Sequence, residues 1–354
     1  MHRTVYSSLK VFHHPDRLQA LAAGRHVAPL HVRLKPTNVC NHDCYFCAYR
    51  RDGLSLGSTM QVRDRIPRDK MREIVEDLIA MDVRAVTFSG GGEPLLYPWL
   101  GETLESLAAG GIAIGVLTNG AQLRGRLAET LARTAAWVRV SIDGWDAASY
   151  ARNRNVPESS FEKVLANMAA FARLPGSCTL GASVIVDAEN APHLAGLAAR
   201  LKAAGAAHVK LSPCIVSEDA AGTAGHHAPF ADTALAEIGR CRALEDDRFA
   251  IVDHYHFETD TGAARHPRCP MLRLLTVIAA DGAVYACQDK AYTEAGRIGS
   301  IADRRFRDLW HSDETQAWID AFDARTCGHH CVAAGKNALL NDFLDTDRAH
   351  LAFV

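Results

Sequence analysis

No run of 18 apolar residues occurs in this chain, which leaves no candidate for a helical membrane span. The opening stretch "MHRTVYSSLKVFHHPDRLQA" lacks the continuous apolar core of a secretory signal, so the sequence reads as cytoplasmic. Charge of one sign is missing too. Lys and Arg number 39 against 41 Asp and Glu, a net charge of −2, so no global basic field points to nucleic acid or an anionic membrane. Internal repeats and low-complexity tracts are absent. What is present is a chain of 354 residues, 48% hydrophobic and 23% charged, enough for one large α/β core with an appendage.

Cysteine is the exception to this plainness. Of ten cysteines, seven fall into two groups: Cys40, Cys44 and Cys47, then Cys269, Cys287, Cys327 and Cys331. In a reducing compartment such groups are metal ligands or catalytic thiols rather than disulfides.

From about 30 to 214, short apolar runs alternate with helical stretches. The runs are "HVRLKPT", "AVTFSGG", "IAIGVLTNG", "WVRVSIDG", "CTLGASVIVD" and "HVKLSPC". They are rich in Val and Ile, unbroken by polar alternation, and read as buried parallel strands. "DKMREIVEDLIAMD" sets Met71, Ile74, Val75, Leu78 and Ile79 on one helical face. Six βα units predict an α/β fold, a partial (β/α)6 TIM-type barrel with right-handed crossovers and its chemistry at the carboxyl ends of the strands. After Cys214 the alternation stops, a helix near 230–246 follows, and "LRLLTVIAADGAVYACQD" predicts a β-hairpin turning at Asp281-Gly282. "DRRFRDLWHSDETQAWIDAF" then reads as helix. The expected division is an N-terminal extension (1–29), a barrel core (30–217), a linker and substrate-pocket segment (218–268) and a C-terminal hairpin/helix unit (269–354).

The spacing C-x3-C-x2-C cannot place three thiolates on one face of a regular helix, so it fits a loop folded around a metal centre. Zinc wants four ligands, whereas an iron–sulfur cluster given three leaves one iron open. The second run ends in "GGGEP", where Gly90, Gly91 and Gly92 let the backbone approach a ligand and Glu93 adds a carboxylate. For Cys269, Cys287, Cys327 and Cys331, ligand count suits a structural zinc and a cluster equally.

"CNHDCYFC" with Phe46 before the third cysteine, coupled to "GGGEP" one βα unit later, resembles the radical S-adenosylmethionine (SAM) enzymes, over about 30–214. The resemblance implies that Cys40, Cys44 and Cys47 hold a [4Fe–4S] cluster whose open iron is chelated by SAM. Gly90 to Glu93 would then receive the SAM amino group. The reduced cluster would cleave the sulfonium to a 5′-deoxyadenosyl radical that takes hydrogen from an unactivated C–H. Ser141, Asp143, Asn119 and Ser183 are the expected holders of SAM's ribose and carboxylate, with Arg152 or Arg154 on the carboxylate. As cap and turn formers, the first three have an ordinary structural role open to them as well.

A second resemblance decides the later cysteines. "C-x12-G-x4-C", "GSIADRRFRDLWHS" and a closing cysteine pair look like the auxiliary-cluster extension of SPASM and twitch radical SAM enzymes. No cysteine follows Cys331, which argues for the shorter, twitch-like form with one auxiliary [4Fe–4S] cluster.

Of the remaining cysteines, Cys178 and Cys241 read as packing. Cys214 ends the sixth run, where a thiol is placed to return a hydrogen atom to a substrate radical, with simple packing the other role open to it. About thirty residues precede the first strand, too few for a peptide-recognition module. The expected substrate is therefore carbohydrate-like: a sugar, nucleotide sugar, aminocyclitol or nucleoside, undergoing epimerisation or dehydrogenation. His254, Tyr255, His256 and Glu258 are its candidate contacts, with His226, His227 and Asp253 nearby. An electron donor such as flavodoxin or ferredoxin is the expected partner. The alternatives are a peptide maturase with recognition supplied in trans and a zinc-stabilised binding protein on a barrel scaffold.

Overall fold

A computed structural model of the chain describes residues 6–51, 53–255, 266–328 and 331–353. Six strands form where the apolar runs predict them: β1 (His31–Leu34), β2 (Ala85–Phe88), β3 (Ala113–Thr118), β4 (Trp137–Ser141), β5 (Thr179–Val186) and β6 (His208–Pro213). All pair in parallel with their sequence neighbours. Between and around them run α1 (Pro15–Ala22), α2 (Arg68–Ala80), α3 (Leu100–Ala109), α4 (Gly125–Thr134), α5 (Ala147–Arg154), α6 (Ser159–Phe171) and α7 (Leu194–Ala203). In α2, Met71, Ile74, Val75 and Leu78 are buried as expected, but Ile79 sits at the rim and is 40% exposed.

The structure extends the predicted barrel in two directions. After α8 (Ala220–His227) and α9 (Ala231–Arg242), a seventh parallel strand, β7 (Ala250–Asp253), pairs with β6. Its four residues, "AIVD", are too short to stand out beside the helix before them. The predicted hairpin forms as β8 (Leu275–Ile278) and β9 (Ala283–Tyr285), turning at Gly282 with φ +72°. It is not a free-standing appendage, because β8 pairs in parallel with β1 and carries the barrel sheet into the C-terminal unit. With β10 (Arg297–Ser300), the order is β10-β9-β8-β1-β2-β3-β4-β5-β6-β7, an unclosed ten-stranded sheet. The helix expected over 303–322 is two, α10 (Phe306–Trp310) and α11 (Asp313–Ala321), because Ser312 caps the second. Arg305 before α10 donates to the buried Asp77 of α2 at 2.8 Å and fastens the two units. The last helix is α12 (Ala334–Asp345). Among the described residues no helix is long and apolar enough to cross a membrane.

One expectation is corrected in kind. Three of the runs do alternate. Val32 and Leu34, Val138 and Val140, and Val209 and Leu211 join the outer core under the helices. The residues between them face the other way: His31 and Arg33 on β1, Arg139 and Ser141 on β4, His208, Lys210 and Ser212 on β6. Strands β1, β4 and β6 are not neighbours, yet Lys210 feels the charges of both Arg33 and Arg139, so this face curls around a shared lumen.

The lumen's imidazoles give the fold a pH dependence. Burial, helped by Arg33 and Lys336, lowers His31 to about 3; burial with Arg139 lowers His208 to about 4. Above pH 6.5 both rings are neutral in the folded and unfolded chain and nothing is lost. Between pH 6.5 and 4 the unfolded chain takes up protons that the folded one refuses, so stability falls, by about 3 kcal/mol for His208 alone. The melting temperature is expected to drop across that range, and His208→Gln to flatten the slope. An unchanged slope in that variant refutes the assignment.

Candidate functional site

The loop between β1 and α2 carries Cys40, Cys44 and Cys47, all half-buried. It closes on itself, with Ile66 N donating to Pro36 O at 3.0 Å and Asn38 N to Asp64 O at 2.9 Å. A tight turn brings Cys47 N to Cys44 O at 3.1 Å, and Asp43 N reaches Arg154 O at the end of α5. The Cys44 thiol is pushed up to about 12 by burial, with Cys47 and Cys40 adding to the shift. Three thiols that influence one another in one loop suit the ligand set that the spacing predicts.

The glycine turn is explained by its neighbours. Gly92 N donates to Thr37 O at 3.0 Å and Glu93 N to Val39 O at 2.9 Å, so the turn zips onto the chain just before Cys40. A Cβ on Gly91 would lie 2.1 Å from Asn38 Oδ1, and one on Gly92 2.2 Å from Val39 O. The glycines therefore serve the approach of turn to cysteine loop. Glu93 is buried, and its carboxylate accepts from Thr118 Oγ1 at 2.6 Å, Asn119 N at 2.7 Å and Leu95 N at 3.0 Å. It staples the end of β2 to the end of β3, while the Asn119 amide donates to Asn41 Oδ1 at 2.8 Å, one residue after Cys40.

Asp143 and Arg154 form an ion pair in which both side chains are 2% exposed. Ser149 and Asp146 close a capping box at the start of α5, and Asn155 ends it in the left-handed conformation, which fixes Arg154 in the last turn. Its guanidinium lies over the rings of Tyr150 (5.2 Å) and Phe46 (5.5 Å), and Nη1 is 3.9 Å from Cys44 Sγ. Burial works against the charge, but Asp143, the Cys44 thiol and Tyr150 outweigh it and raise the pKa. Of the two arginines considered, Arg154 meets the cysteine loop; Arg152 is exposed and paired with Glu189 at 3.0 Å. Ser141 and Ser183 face each other across β4 and β5 at 3.3 Å, on the lumen side.

At the end of β6, Cys214 is buried and its thiol is pushed up to about 12, by burial first and the Asp187 carboxylate second. Arg51 Nη1, from the cysteine loop, points at its sulfur from 3.8 Å. Asp187, after β5, accepts from Tyr45 OH at 2.9 Å and contacts His226 Nε2 at 2.7 Å. Tyr45 lies between two of the cysteines, so the loop, β5 and β6 meet at one polar cluster. Tyr255 OH contacts His227 Nδ1 at 2.9 Å, and His227 Nε2 contacts Cys214 O at 2.9 Å. His254 packs edge-on against Tyr6 at 5.5 Å, and Asp253 pairs with Arg242 at 2.8 Å on the rim. His256 and Glu258 lie outside the described residues. Sequence reading missed Tyr45, Arg51 and Asp187, and also Lys35, which is buried and donates to Tyr49 OH at 2.7 Å and Gly90 O at 2.6 Å. The available signal was position: each flanks a motif already noticed.

The C-terminal unit holds the four thiols expected to share a cluster, Cys269, Cys287, Cys327 and Cys331. The Cys331 thiol, pushed up to about 12 chiefly by burial, feels Cys269 and Cys327, and Cys287 feels Cys331 and Cys269. Asn337 Nδ2, from α12, donates to Cys269 Sγ at 3.1 Å. Buried thiols this close favour their protonated forms unless a cation neutralises them. Among the described residues no three His, Cys, Asp or Glu side chains gather closely enough for a single ion. The buried atoms His42 Nδ1, Ser89 Oγ and Arg154 Nε, all flanking the first cysteine loop, have no hydrogen-bond partner. Native interiors hold few such atoms, and their concentration here suits a site completed by further polar groups. Both cysteine sets thus fit iron–sulfur ligation, with Cys40, Cys44 and Cys47 at one site and the four later cysteines at the other.

Comparison with known proteins agrees. The family model described as Radical SAM superfamily matches residues 34–213, and that of SPASM, an iron–sulfur cluster-binding domain, matches 269–332. An S-adenosylmethionine-dependent nucleotide dehydratase of Flammeovirga pacifica is 26% identical over 132 residues, 37% of this chain and 44% of that protein. The mycofactocin maturase MftC of Mycolicibacterium smegmatis is 27% identical over 329 residues, 87% of this chain and 78% of that protein. For the first curated relatives the match spans less than half of their length: 44%, 22% and 43%. SuiB of Streptococcus suis, solved with its precursor peptide SuiA, superposes with a TM-score of 0.62 at 14% identity, covering 91% of this chain and 74% of that one; this is a likeness of fold.

Proposed function

The chain belongs to the radical SAM superfamily and carries a SPASM iron–sulfur domain, and on that premise we propose that it abstracts hydrogen from a carbohydrate-like small molecule held in its barrel lumen. SAM and [4Fe–4S] clusters, an auxiliary one included, are its cofactors, and together they supply a one-electron cleavage that makes a hydrogen-abstracting radical. Family membership sets aside the zinc-stabilised binding protein.

The chain's own residues supply positioning and hydrogen return. Cys214 carries the reading: its thiol lies on the lumen side at the end of β6, next to Arg51 of the cysteine loop, and burial keeps it protonated. A thiol holding its hydrogen is what a carbon radical needs. The S–H bond breaks, a new C–H bond forms, and the remaining thiyl takes an electron from the external reductant and a proton from solvent. The outcome is epimerisation when Cys214 delivers the hydrogen, and dehydrogenation when the substrate radical instead gives up a proton and an electron, the electron being one that an auxiliary cluster held by Cys269, Cys287, Cys327 and Cys331 would accept. A flavodoxin or ferredoxin in the cytoplasm suits the reductant role, and seven cysteines grouped for cluster ligation suit that compartment.

Cys214→Ala is expected to keep releasing 5′-deoxyadenosine while losing the inverted product, and wild type in D2O to place one solvent deuterium on the product carbon. Unimpaired product formation by the variant rejects the role. The substrate class is read by 5′-deoxyadenosine release with dithionite: stimulation about tenfold or more by nucleotide sugars, aminocyclitols or nucleosides supports it. Stimulation by peptides alone rejects it. Peptide maturation with recognition in trans stays the second reading, favoured by the match to MftC across 87% of this chain.

A further inference from the structure

We propose that the lumen below the reactive end is an oxyanion subsite in which Arg33, Arg139 and Lys210 hold the phosphoryl groups of a multiply charged substrate. This deepens the reading above and rests on it. The three residues stand on β1, β4 and β6, on the face that alternation turns inward. Among the described residues, none of them forms an ion pair.

Their hydrogen bonds go to neutral groups: Arg33 Nη1 to Gln288 Oε1 at 3.2 Å and Arg139 Nη1 to Tyr6 OH at 2.5 Å. Arg139 Nε is buried without a partner. Lys336 of α12 adds a fourth cation within electrostatic reach of Arg33 and Lys210. Among the described residues, Asp289 is the carboxylate whose charge reaches both Arg33 and Lys210. Buried Lys35 adds a fifth cation beside Arg33, while the Cys287 and Cys331 thiols stand against Arg33 and Lys336, so the positive charge left unanswered lies on the Arg139 and Lys210 side of the lumen.

Burying like charges together is unfavourable unless something opposite joins them. Lys210 registers the crowding, its pKa lowered to about 7 by burial, Arg139, Arg33 and Lys336. An arginine fork matches phosphoryl oxygens in pairs, and a lysine adds a point charge. Height along the strand fits as well. Lys210 precedes Cys214 by four residues on the same face, about 13 Å at strand rise. A substrate anchored by phosphoryl groups at Lys210 therefore reaches the thiol with a sugar-sized remainder.

The test is calorimetric titration of the cluster-loaded protein, under anaerobic conditions, with inorganic pyrophosphate and, in parallel, citrate. Pyrophosphate is expected to bind at one site, at least tenfold more weakly in Lys210→Met and in Arg139→Gln, and within threefold of wild type in Lys210→Arg. Removing a crowded charge should not lower the melting temperature of Lys210→Met. As a check needing no variant, NMR of 13C-labelled lysines should show Lys210 titrating from about 7 to a higher pH once pyrophosphate is bound. Absent binding, binding indifferent to both neutral variants, or a Lys210 titration that stays put overturns the proposal. Citrate binding more tightly than pyrophosphate overturns its phosphoryl assignment. Release of 5′-deoxyadenosine is measured separately, so loss of the subsite and loss of the radical chemistry are told apart.

Discussion

Replacing Cys44 by Ala is expected to abolish 5′-deoxyadenosine release, by ~10³-fold or more, and to lower bound iron from about 8 to about 4 per chain. The reason is ligand arithmetic. Cys40, Cys44 and Cys47 are the thiols of one loop that the glycine turn and α5 hold shut, and a set of three that loses one cannot keep a cube and leave only one corner open. Arg154 stands 3.9 Å from Cys44 Sγ, so this thiolate also carries the loop's link to the buried ion pair. Cys287→Ala should lower iron by a similar amount while SAM cleavage without substrate persists, because its group lies in the other unit. Cys178→Ala, outside both groups, should change neither. A Cys44→Ala enzyme that keeps its full iron and still cleaves SAM would sink the assignment.

The second large effect is on stability. Arg154→Met strands the Asp143 carboxylate where it is 2% exposed. Leaving one member of such a pair alone costs about 3–5 kcal/mol, since the charge loses its partner without regaining water. Asp143 would keep only the hydrogen bond from Ile185 N at 2.6 Å. The double variant Asp143→Asn/Arg154→Met should recover most of that loss in denaturant unfolding, because it removes the buried charge as well. It should not recover SAM cleavage, because the guanidinium beside Cys44 is still missing. Arg154→Lys keeps the charge but not the fork, and belongs between the two. A loss below about 1 kcal/mol in Arg154→Met would contradict the buried pair.

Much of this was legible beforehand, for definite reasons. The six strands were readable because each pairs a Val-rich run with a turn, and Gly282 marked the hairpin because only a residue tolerant of positive φ turns it. The cysteine groups were readable because thiols that close together have few other uses in a reducing compartment. Strand β7 was hidden by its length, and the continuity of β8 with β1 by the 240 residues between them. The inward cations were in plain view in "HVRLK", "WVRVS" and "HVKLS", but the runs were read for their apolar content and not for the alternation.

The sequence by itself determined the cysteine grouping and the parallel scaffold, because thiol spacing and strand periodicity are local properties that a few neighbouring residues suffice to specify. Only the tertiary structure decided which polar residues act together. Arg154 with Asp143, Cys214 with Arg51 and Asp187, and Arg33 with Arg139 and Lys210 are brought together by the curl of the sheet. Electrostatic effects follow distance in space and burial, and neither can be counted along a chain.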